Sequence, residues 1–320
     1  MPSAFEEFDL TGLRTRSIDD RVSKVDISAF ATPHTPAGSV LGLLHSLPDI
    51  LAGKDIRTVV HRIAGAARAK RPVILAMGAH VVKCGLGTVV GDLIRRGITT
   101  TVAVNGAGVI HDAEIALFGQ TSEDVYPGLV DGSFGMTRET ADFINSAART
   151  AVQQGAGLGE TLGKALLDAN APNLDASILA SAAKAGIPVT VHVAVGTDVV
   201  HMHPSADGAC IGESSLRDFR ILVAAMSHLS GGVLLNVGSA VILPEVVLKA
   251  FAILKNQGCN LSDYLGVNLD FVRQYRSGEQ IVTRASAIGG SGLSITGHHE
   301  LLLPFIAACV IETLEKESAK

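Results

Sequence analysis

The chain has 320 residues, 47% of them hydrophobic, and a formal net charge of −5 at pH 7. The hydrophobic share supplies a large buried core and excludes an intrinsically disordered chain. The acidic balance, without a basic stripe, gives no reason to expect nucleic-acid binding, and no apolar run is long enough to span a bilayer. The start of the chain has no signal-peptide pattern and the 4 cysteines are widely spaced, so we expect a cytoplasmic protein with free thiols.

Residues 1–40 are polar and irregular and are predicted to form an N-terminal arm, whereas residues 41–320 are predicted to form a single domain. Helices are predicted at 39–51, 56–69, 84–96, 137–153, 158–170, 174–185, 216–229, 244–258 and 300–317. Strands are predicted at 73–77, 100–104, 188–195, 232–237, 264–271 and 280–286. This alternation predicts a Rossmann-like α/β fold, a parallel sheet with helices on both faces. Ligands of such sheets bind at the carboxyl ends of the strands.

The first candidate site follows the first predicted strand, where Gly78 and His80 begin a loop. A glycine at this point lets a phosphate approach the backbone, and the next helix offers free amides to an anion. The glycines of 85–91 have the wrong spacing for a dinucleotide fingerprint, and close packing is their favoured interpretation. A lone glycine-rich loop is not specific for a nucleotide.

A second glycine-rich turn is predicted at 105–112, after the second strand. It matches the start of the dinucleotide fingerprint but has His111 where glycine or alanine is usual. Asn105 is placed to hydrogen-bond a nicotinamide or a ribose. Asp112 is equally well explained as the cap of the next helix.

Histidines and acids cluster in two later segments. His201 and His203 form a His-x-His pair, which places two imidazoles on one side of an extended segment and suits a metal ion. His192, Asp198 or Asp207 is available as a third ligand. The alternative is a polar wall that binds phosphate or substrate.

The second of these segments runs from Gly289 to Glu300. The glycines around Gly290 are predicted to wrap a phosphate with backbone amides. His298 and His299 precede the last helix, with Glu300 in its first turn. They are candidates for catalysis or for a metal centre, with a purely structural helix start as the alternative.

Several segments together resemble deoxyhypusine synthase. Residues 73–125 are similar to the segment of that family in which a strand, a loop, a helix and a second strand lead into an Ala-Gly-Gly turn. Residues 107–112 lie on that turn. Residues 187–189 with 197–198 resemble the family's Ile-Pro-Val and Thr-Asp stretch, and 234–239 fall where the family has a strand and a glycine-rich turn.

The resemblance implies a Rossmann-like fold with NAD bound at a subunit interface, in a homotetramer. The NAD-contacting positions that it implies are Gly78, His80, Asn105, Gly106, Ala107, Gly108, Asp198, Gly238 and Ser239. The family's Trp-Gly-Lys stretch corresponds to 280–292 here, which contains neither tryptophan nor lysine. The family carries its butylamine group on that lysine, so a true deoxyhypusine synthase is not expected.

Three functions remain open at this point. The leading one is an NAD-dependent enzyme that acts on a small molecule, with His111, His201 or His299 as the base because imidazole titrates near neutral pH. The second is a metal-dependent hydrolase or lyase that holds a divalent metal through His201, His203 and either His298 or His299, with help from Glu300 or Asp198. The third is a ligand-binding protein that kept the fold and lost the chemistry.

Overall fold

The computed structural model describes residues 4–36 and 38–318, and within them six parallel strands form one sheet. The strands are β1 (Val73–Met77), β2 (Thr101–Asn105), β3 (Val189–His192), β4 (Val233–Val237), β5 (Leu265–Asp270) and β6 (Ser291–Thr296). Their spatial order is β3-β2-β1-β4-β5-β6. The order reverses direction between β1 and β4, which creates a crevice at the carboxyl ends of these two strands. The predicted Rossmann-like α/β fold is confirmed.

Helices cover both faces of the sheet. Over the described residues they are α1 (Val40–Ser46), α2 (Leu51–Arg68), α3 (His80–Lys83), α4 (Gly87–Arg95), α5 (Gly106–Phe118), α6 (Val125–Asp131), α7 (Arg138–Gln154), α8 (Leu158–Asp168), α9 (Ile178–Ala185), α10 (Gly208–Met226), α11 (Ile242–Asn256), α12 (Tyr275–Ser277), α13 (Arg284–Ala287) and α14 (His299–Ser318). A π-helical segment, Gly278–Thr283, joins α12 to α13. None of the described helices is long and apolar enough to cross a membrane.

Alternation along the strands divides the core into two layers. Leu75 and Met77 belong to the larger layer, which α2 and α14 cover, whereas Ile74 and Ala76 pack with the apolar faces of α10 and α11. Successive side chains of a strand point to opposite faces of the sheet. Both sets are buried, because helices cover both faces.

Near the C-terminus, one strand prediction was wrong and one strand was not predicted. The segment 280–286 is helical, and the last strand is β6, which begins inside the predicted phosphate loop. Ile281 and Ala285 are both buried, one helical turn apart, and Gly266 of β5 leaves room for the helix backbone at the Ile281 carbonyl. The strand was predicted because residues 281–283 are three consecutive β-branched residues. Packing of the segment against β5 favours the helix instead.

The predicted turn at 105–112 is also different in the structure, because α5 begins at Gly106 and includes His111 and Asp112. The Asp112 carboxylate accepts hydrogen bonds from the amides of Ile178 and Leu179, at 2.7 and 3.0 Å, and so caps α9 rather than the helix that follows in the chain. The capping interpretation of Asp112 is correct in kind, with a different helix as its target.

The described part of the arm, residues 4–36, is almost entirely exposed. It contains two single-turn 3-10 helices, Ile18–Asp20 and Ile27–Ala29. Backbone hydrogen bonds join Thr32 to Ser46 and Asp49 to Ala29, at 3.0 and 2.8 Å. The division of the chain into an arm and a single domain stays a prediction.

Candidate functional site

Two glycines meet at the topological switch point. The Gly78 amide, directly after β1, donates to the Val237 carbonyl at 2.9 Å, and a side chain on Gly78 would collide with the Gly238 carbonyl oxygen. Gly238, directly after β4, has a φ of +67° and would drive any side chain into the His299 ring. The floor of the crevice is therefore bare backbone, which a ligand can approach closely.

Polar side chains fix the loop after β4. Ser239 is buried, and its hydroxyl accepts a hydrogen bond from the Leu243 amide at 3.2 Å. The Asn236 amide group donates to the Ser239 carbonyl at 3.0 Å and to Asn268 Oδ1 at 2.8 Å. Gly238 is thus held between two fixed residues, and the floor of the crevice is rigid.

His299 lies against this floor and is only 1% exposed. Neither ring nitrogen makes a hydrogen bond of normal geometry, and the nearest acid is Asp270 at the end of β5, with Oδ1 3.7 Å from Nε2. Burial lowers the pKa of His299, although Asp270 and the nearby Leu269 carbonyl oppose that effect. His299 is therefore a neutral imidazole with free hydrogen-bonding capacity.

Two rings cover His299 from the solvent side. The His80 ring centroid is 5.3 Å from that of His299, and the Phe271 centroid is 5.6 Å away. Both covering side chains are exposed. Movement of either ring would open His299 to the crevice.

A thiol and a carboxylate adjoin His80. Cys84 Sγ is 3.1 Å from His80 Nε2 and 3.8 Å from Glu300 Oε2, in the first turn of α14. Burial and the Glu300 carboxylate raise the pKa of the Cys84 thiol. The Glu300 backbone amide and the neighbouring His298 lower the pKa of Glu300. These groups could hold a cation.

A second polar group lies at the carboxyl ends of β2 and β3. Asn105 Oδ1 accepts a hydrogen bond from the Gly108 amide at 3.2 Å, and the buried Asp198 carboxylate packs on Gly106 and accepts from the Ala107 amide. Burial raises the pKa of Asp198. The first turn of α5 is thus already capped by the protein's own side chains.

His201 supports Asp198. Its Nδ1 accepts hydrogen bonds from the amides of Gly196 and Asp198, at 3.1 and 3.3 Å, so the proton of the neutral ring lies on Nε2. Nε2 is 3.8 Å from Asp198 Oδ2. The amino end of α5 lies next to the loop after β1, because a side chain added at Gly108 would come within 3.7 Å of Ala79 Cα.

Four of the predicted site residues lie outside these two groups. His111 Nδ1 is 2.6 Å from the Thr121 hydroxyl, and His203 Nδ1 is 2.7 Å from the Ser205 hydroxyl. His298 is exposed beside Glu300. Gly290 lies at the amino end of β6, opposite the crevice. Only a glycine fits there, because an added side chain would collide with the Tyr264 ring.

The predicted three-histidine metal centre is not assembled. His201 and His203 follow β3, and His298 follows β6, which are the two outermost strands of the sheet. Five strand spacings separate these edges, roughly 24 Å. Over the described ranges, the group of ligating atoms within 4.8 Å of one another is His80, Cys84 and Glu300.

Three residues of the crevice were missed. The cysteine spacing predicts only a free thiol at Cys84, and neither Asp270 nor Phe271 belongs to a predicted motif. Cys84 follows His80 by four residues, a spacing that places both on one face of a helix. Asp270 ends a buried strand, as crevice residues of parallel sheets do. Both signals were present in the sequence.

The solved structures that are similar to this one include those of the following three proteins. A protein from Entamoeba histolytica assigned as a deoxyhypusine synthase is 13% identical, with a TM-score of 0.52, and the match covers 89% of this chain and 97% of that one. The chain has a deoxyhypusine synthase-like fold. A conserved protein from Methanococcus maripaludis S2 assigned to the LOR/SDH group is 14% identical, with a TM-score of 0.50 and coverages of 89% and 72%.

The third similar structure is the ternary complex of AgrE with ornithine and NAD+. It is 13% identical with a TM-score of 0.53, and the match covers 83% of this chain. The chain spans about a third of the length of AgrE, 33% by residues matched. No protein-family model and no curated protein matches the sequence. At these identities the likeness establishes the deoxyhypusine synthase-like fold alone, a fold shared with a protein that was solved with NAD+.

Proposed function

We propose that the protein is an NAD-dependent enzyme that acts on a small molecule, with the cofactor lying across the carboxyl ends of β2, β1 and β4. The observation that carries the proposal is the meeting of the Gly78 and Gly238 backbones at the switch point, directly beside the buried His299. The NAD+ in the AgrE complex supports it, because AgrE shares the fold.

The residues around the crevice have separate binding roles in this proposal. Gly78 and Gly238 offer a surface without side chains, which a dinucleotide can approach at backbone distance. Asp198 and Asn105 occupy the first-turn amides of α5, so this helix is not the pyrophosphate site. The carboxylate of Asp198 instead suits the hydroxyls of a ribose.

The chemistry proposed for the site is removal of a proton and a hydride from the substrate. NAD, when bound, supplies the hydride acceptor. His299 accepts the proton, because burial keeps its imidazole neutral near pH 7. Asp270 positions this ring and stabilises the imidazolium that forms. His80 and Phe271 exclude water from His299 until movement of Phe271 admits the substrate.

The substrate is a small molecule in this proposal, and neither nucleic acid nor membrane is required. The homotetramer that the resemblance implies stays a prediction, as does the cytoplasmic location.

The test compares NAD+ binding by the wild-type protein with Ala107→Glu and Ala107→Gln. Ala107 is half-buried in the first turn of α5. A carboxylate there interacts favourably with the helix dipole, so the substitution should not destabilise the fold. The same carboxylate repels a diphosphate at the neighbouring crevice. We expect micromolar binding by the wild type and a loss of at least about tenfold, or 1.4 kcal/mol, in Ala107→Glu.

Ala107→Gln is the matched control, because it adds the same bulk without charge. Its affinity is expected to stay within about threefold of the wild type. Wild-type affinity in both variants would contradict a cofactor at this edge of the sheet. Absence of NAD+ binding by folded wild-type protein would favour the ligand-binding alternative over the enzyme.

A further inference from the structure

A three-residue cluster at the mouth of the crevice has a chemistry that the proposed function does not use. His80 opens α3, Cys84 directly follows α3, and Glu300 is the second residue of α14. One ligating atom from each of the three lies within 4.8 Å of the other two. Two elements far apart in the chain therefore deliver a nitrogen, a sulfur and an oxygen donor to one point.

The separations of the donor atoms match a tetrahedral ion. Zinc binds nitrogen and oxygen at about 2.0 Å and sulfur at about 2.3 Å, which places neighbouring donors about 3.3 to 3.5 Å apart. The Cys84 Sγ to His80 Nε2 distance is 3.1 Å, and the Sγ to Glu300 Oε2 distance is 3.8 Å. Small side-chain rotations would bring both to the zinc values.

The mixture of donors selects the metal. Calcium and magnesium prefer shells of oxygen atoms, whereas an imidazole with a thiolate suits zinc. His80 and Glu300 are exposed, so an ion can reach the cluster from solvent. Three protein ligands leave the fourth position for water or substrate, as in zinc sites that perform chemistry.

The cluster also places a carboxylate beside the thiol, with Glu300 Oε2 3.8 Å from Cys84 Sγ. A divalent ion would offset the repulsion between thiolate and carboxylate.

An independent observation points to a ligand at the same place. His299 is 1% exposed, neither of its ring nitrogens makes a hydrogen bond of normal geometry, and its ring packs edge-on against the ring of His80. A buried polar group without partners is costly and is usually kept for function. A water on the fourth position of an ion held by His80 would provide such a partner. We propose that His80, Cys84 and Glu300 bind a zinc ion, and that this site requires no nucleotide.

The test is a titration of the full-length, chelator-treated protein with Zn²⁺ and, separately, with Co²⁺, in the absence of NAD+. One ion per chain is expected, with release of about one proton as the Cys84 thiol ionises. Cobalt should show a thiolate-to-metal charge-transfer absorption. Cys84→Ser should abolish that absorption. Loss of an outer-shell partner weakens metal binding by about 10- to 100-fold, and loss of the Cys84 ligand should weaken Zn²⁺ binding by at least as much.

Two variants serve as controls. Cys210→Ser removes a half-buried thiol outside the cluster, and His298→Ala removes the histidine next to Glu300. Both should bind Zn²⁺ like the wild type. Thermal unfolding of each variant without metal verifies that it is folded, and Glu300→Gln, which keeps the side-chain size, provides a second ligand test.

Three results would overturn the proposal. The first is a stoichiometry below about 0.2 tightly bound ions per chain, and the second is Zn²⁺ binding that Cys84→Ser and Glu300→Gln leave unchanged. The third is a cobalt complex without the thiolate charge-transfer band. Titration of the metal-free protein with NAD+ is scored separately, so failure of the zinc site is distinguishable from failure of the proposed function.

Discussion

Replacement of His299 by leucine should stabilise the protein while it removes the proposed base. Leucine has a volume close to that of histidine and carries no polar atoms. His299 is 1% exposed, and its two ring nitrogens lack hydrogen bonds of normal geometry. Each buried, unsatisfied polar group costs about 1–3 kcal/mol, so His299→Leu is expected to raise the free energy of unfolding at pH 8 by about 1–3 kcal/mol.

The stabilisation by His299→Leu should grow as the pH falls. The pKa of His299 is lower in the folded protein than the ordinary 6.5, because burial disfavours the imidazolium. A lowered pKa means that the unfolded chain binds the proton more readily, so the wild type loses stability as the pH falls below 6.5. The loss is at most about 1.4 kcal/mol per pH unit. Burial also lowers the pKa of His192, to about 3, but this contribution is present in both proteins and cancels.

The assay is urea unfolding of both proteins at pH 8, 7 and 6. His298→Leu is the matched control, since the neighbouring His298 is exposed and its replacement should change stability by no more than about 0.5 kcal/mol. A destabilised His299→Leu at pH 8 would refute the reasoning, because it would mean that the ring nitrogens have partners in solution. A difference from the wild type that does not change between pH 8 and 6 would refute the pKa argument.

Three further predictions concern the scaffold around the site. Burial raises the pKa of Asp218 to about 7 from 3.8, so the stability that this carboxyl group contributes is complete below pH 3.8 and is lost as the pH rises through 7. Asp218→Asn should therefore be more stable than the wild type at pH 8, by up to about 4 kcal/mol. In urea unfolding, this gain should vanish at pH 4. Asp112→Ala should cost about 3 kcal/mol in the same assay, because it leaves two amides of α9 and the Ser177 hydroxyl without their acceptor; a cost below about 1 kcal/mol would contradict the capping role. Gly78→Ala should destabilise the protein by about 1–3 kcal/mol and weaken NAD+ binding, since the new methyl group meets the Gly238 carbonyl. The control Gly65→Ala, in open space on α2, should stabilise the protein by about 0.5–1 kcal/mol. Similar thermal shifts for the two variants would argue against close backbone contact at the switch point.

The fold could be predicted because the strands that matter most are strongly apolar. The run 73–77 is buried at every position, and 233–237 is too, so neither needed information from elsewhere in the chain. The strand 291–296 was missed because glycine and serine obscure the alternation of Leu293 and Ile295. Its existence depends on pairing with β5, which is not a local property of the sequence.

The candidate site was only partly predictable, for a related reason. Gly78, Gly238 and His299 were singled out one by one, and the structure brings them together because β4 lies next to β1. His111 lies inside α5, because the glycine-rich stretch that predicted a turn there is helical. The contact between Cys84 and Glu300 joins residues 216 positions apart, which spacing rules do not reach.

The most direct test of the central claim is a crystal structure of the protein grown with NAD+. The account predicts the dinucleotide across the carboxyl ends of β1 and β4, over Gly78 and Gly238, with the nicotinamide on the side of His299. A dinucleotide bound elsewhere, or a crevice that stays closed by His80 and Phe271 at saturating NAD+, would contradict it.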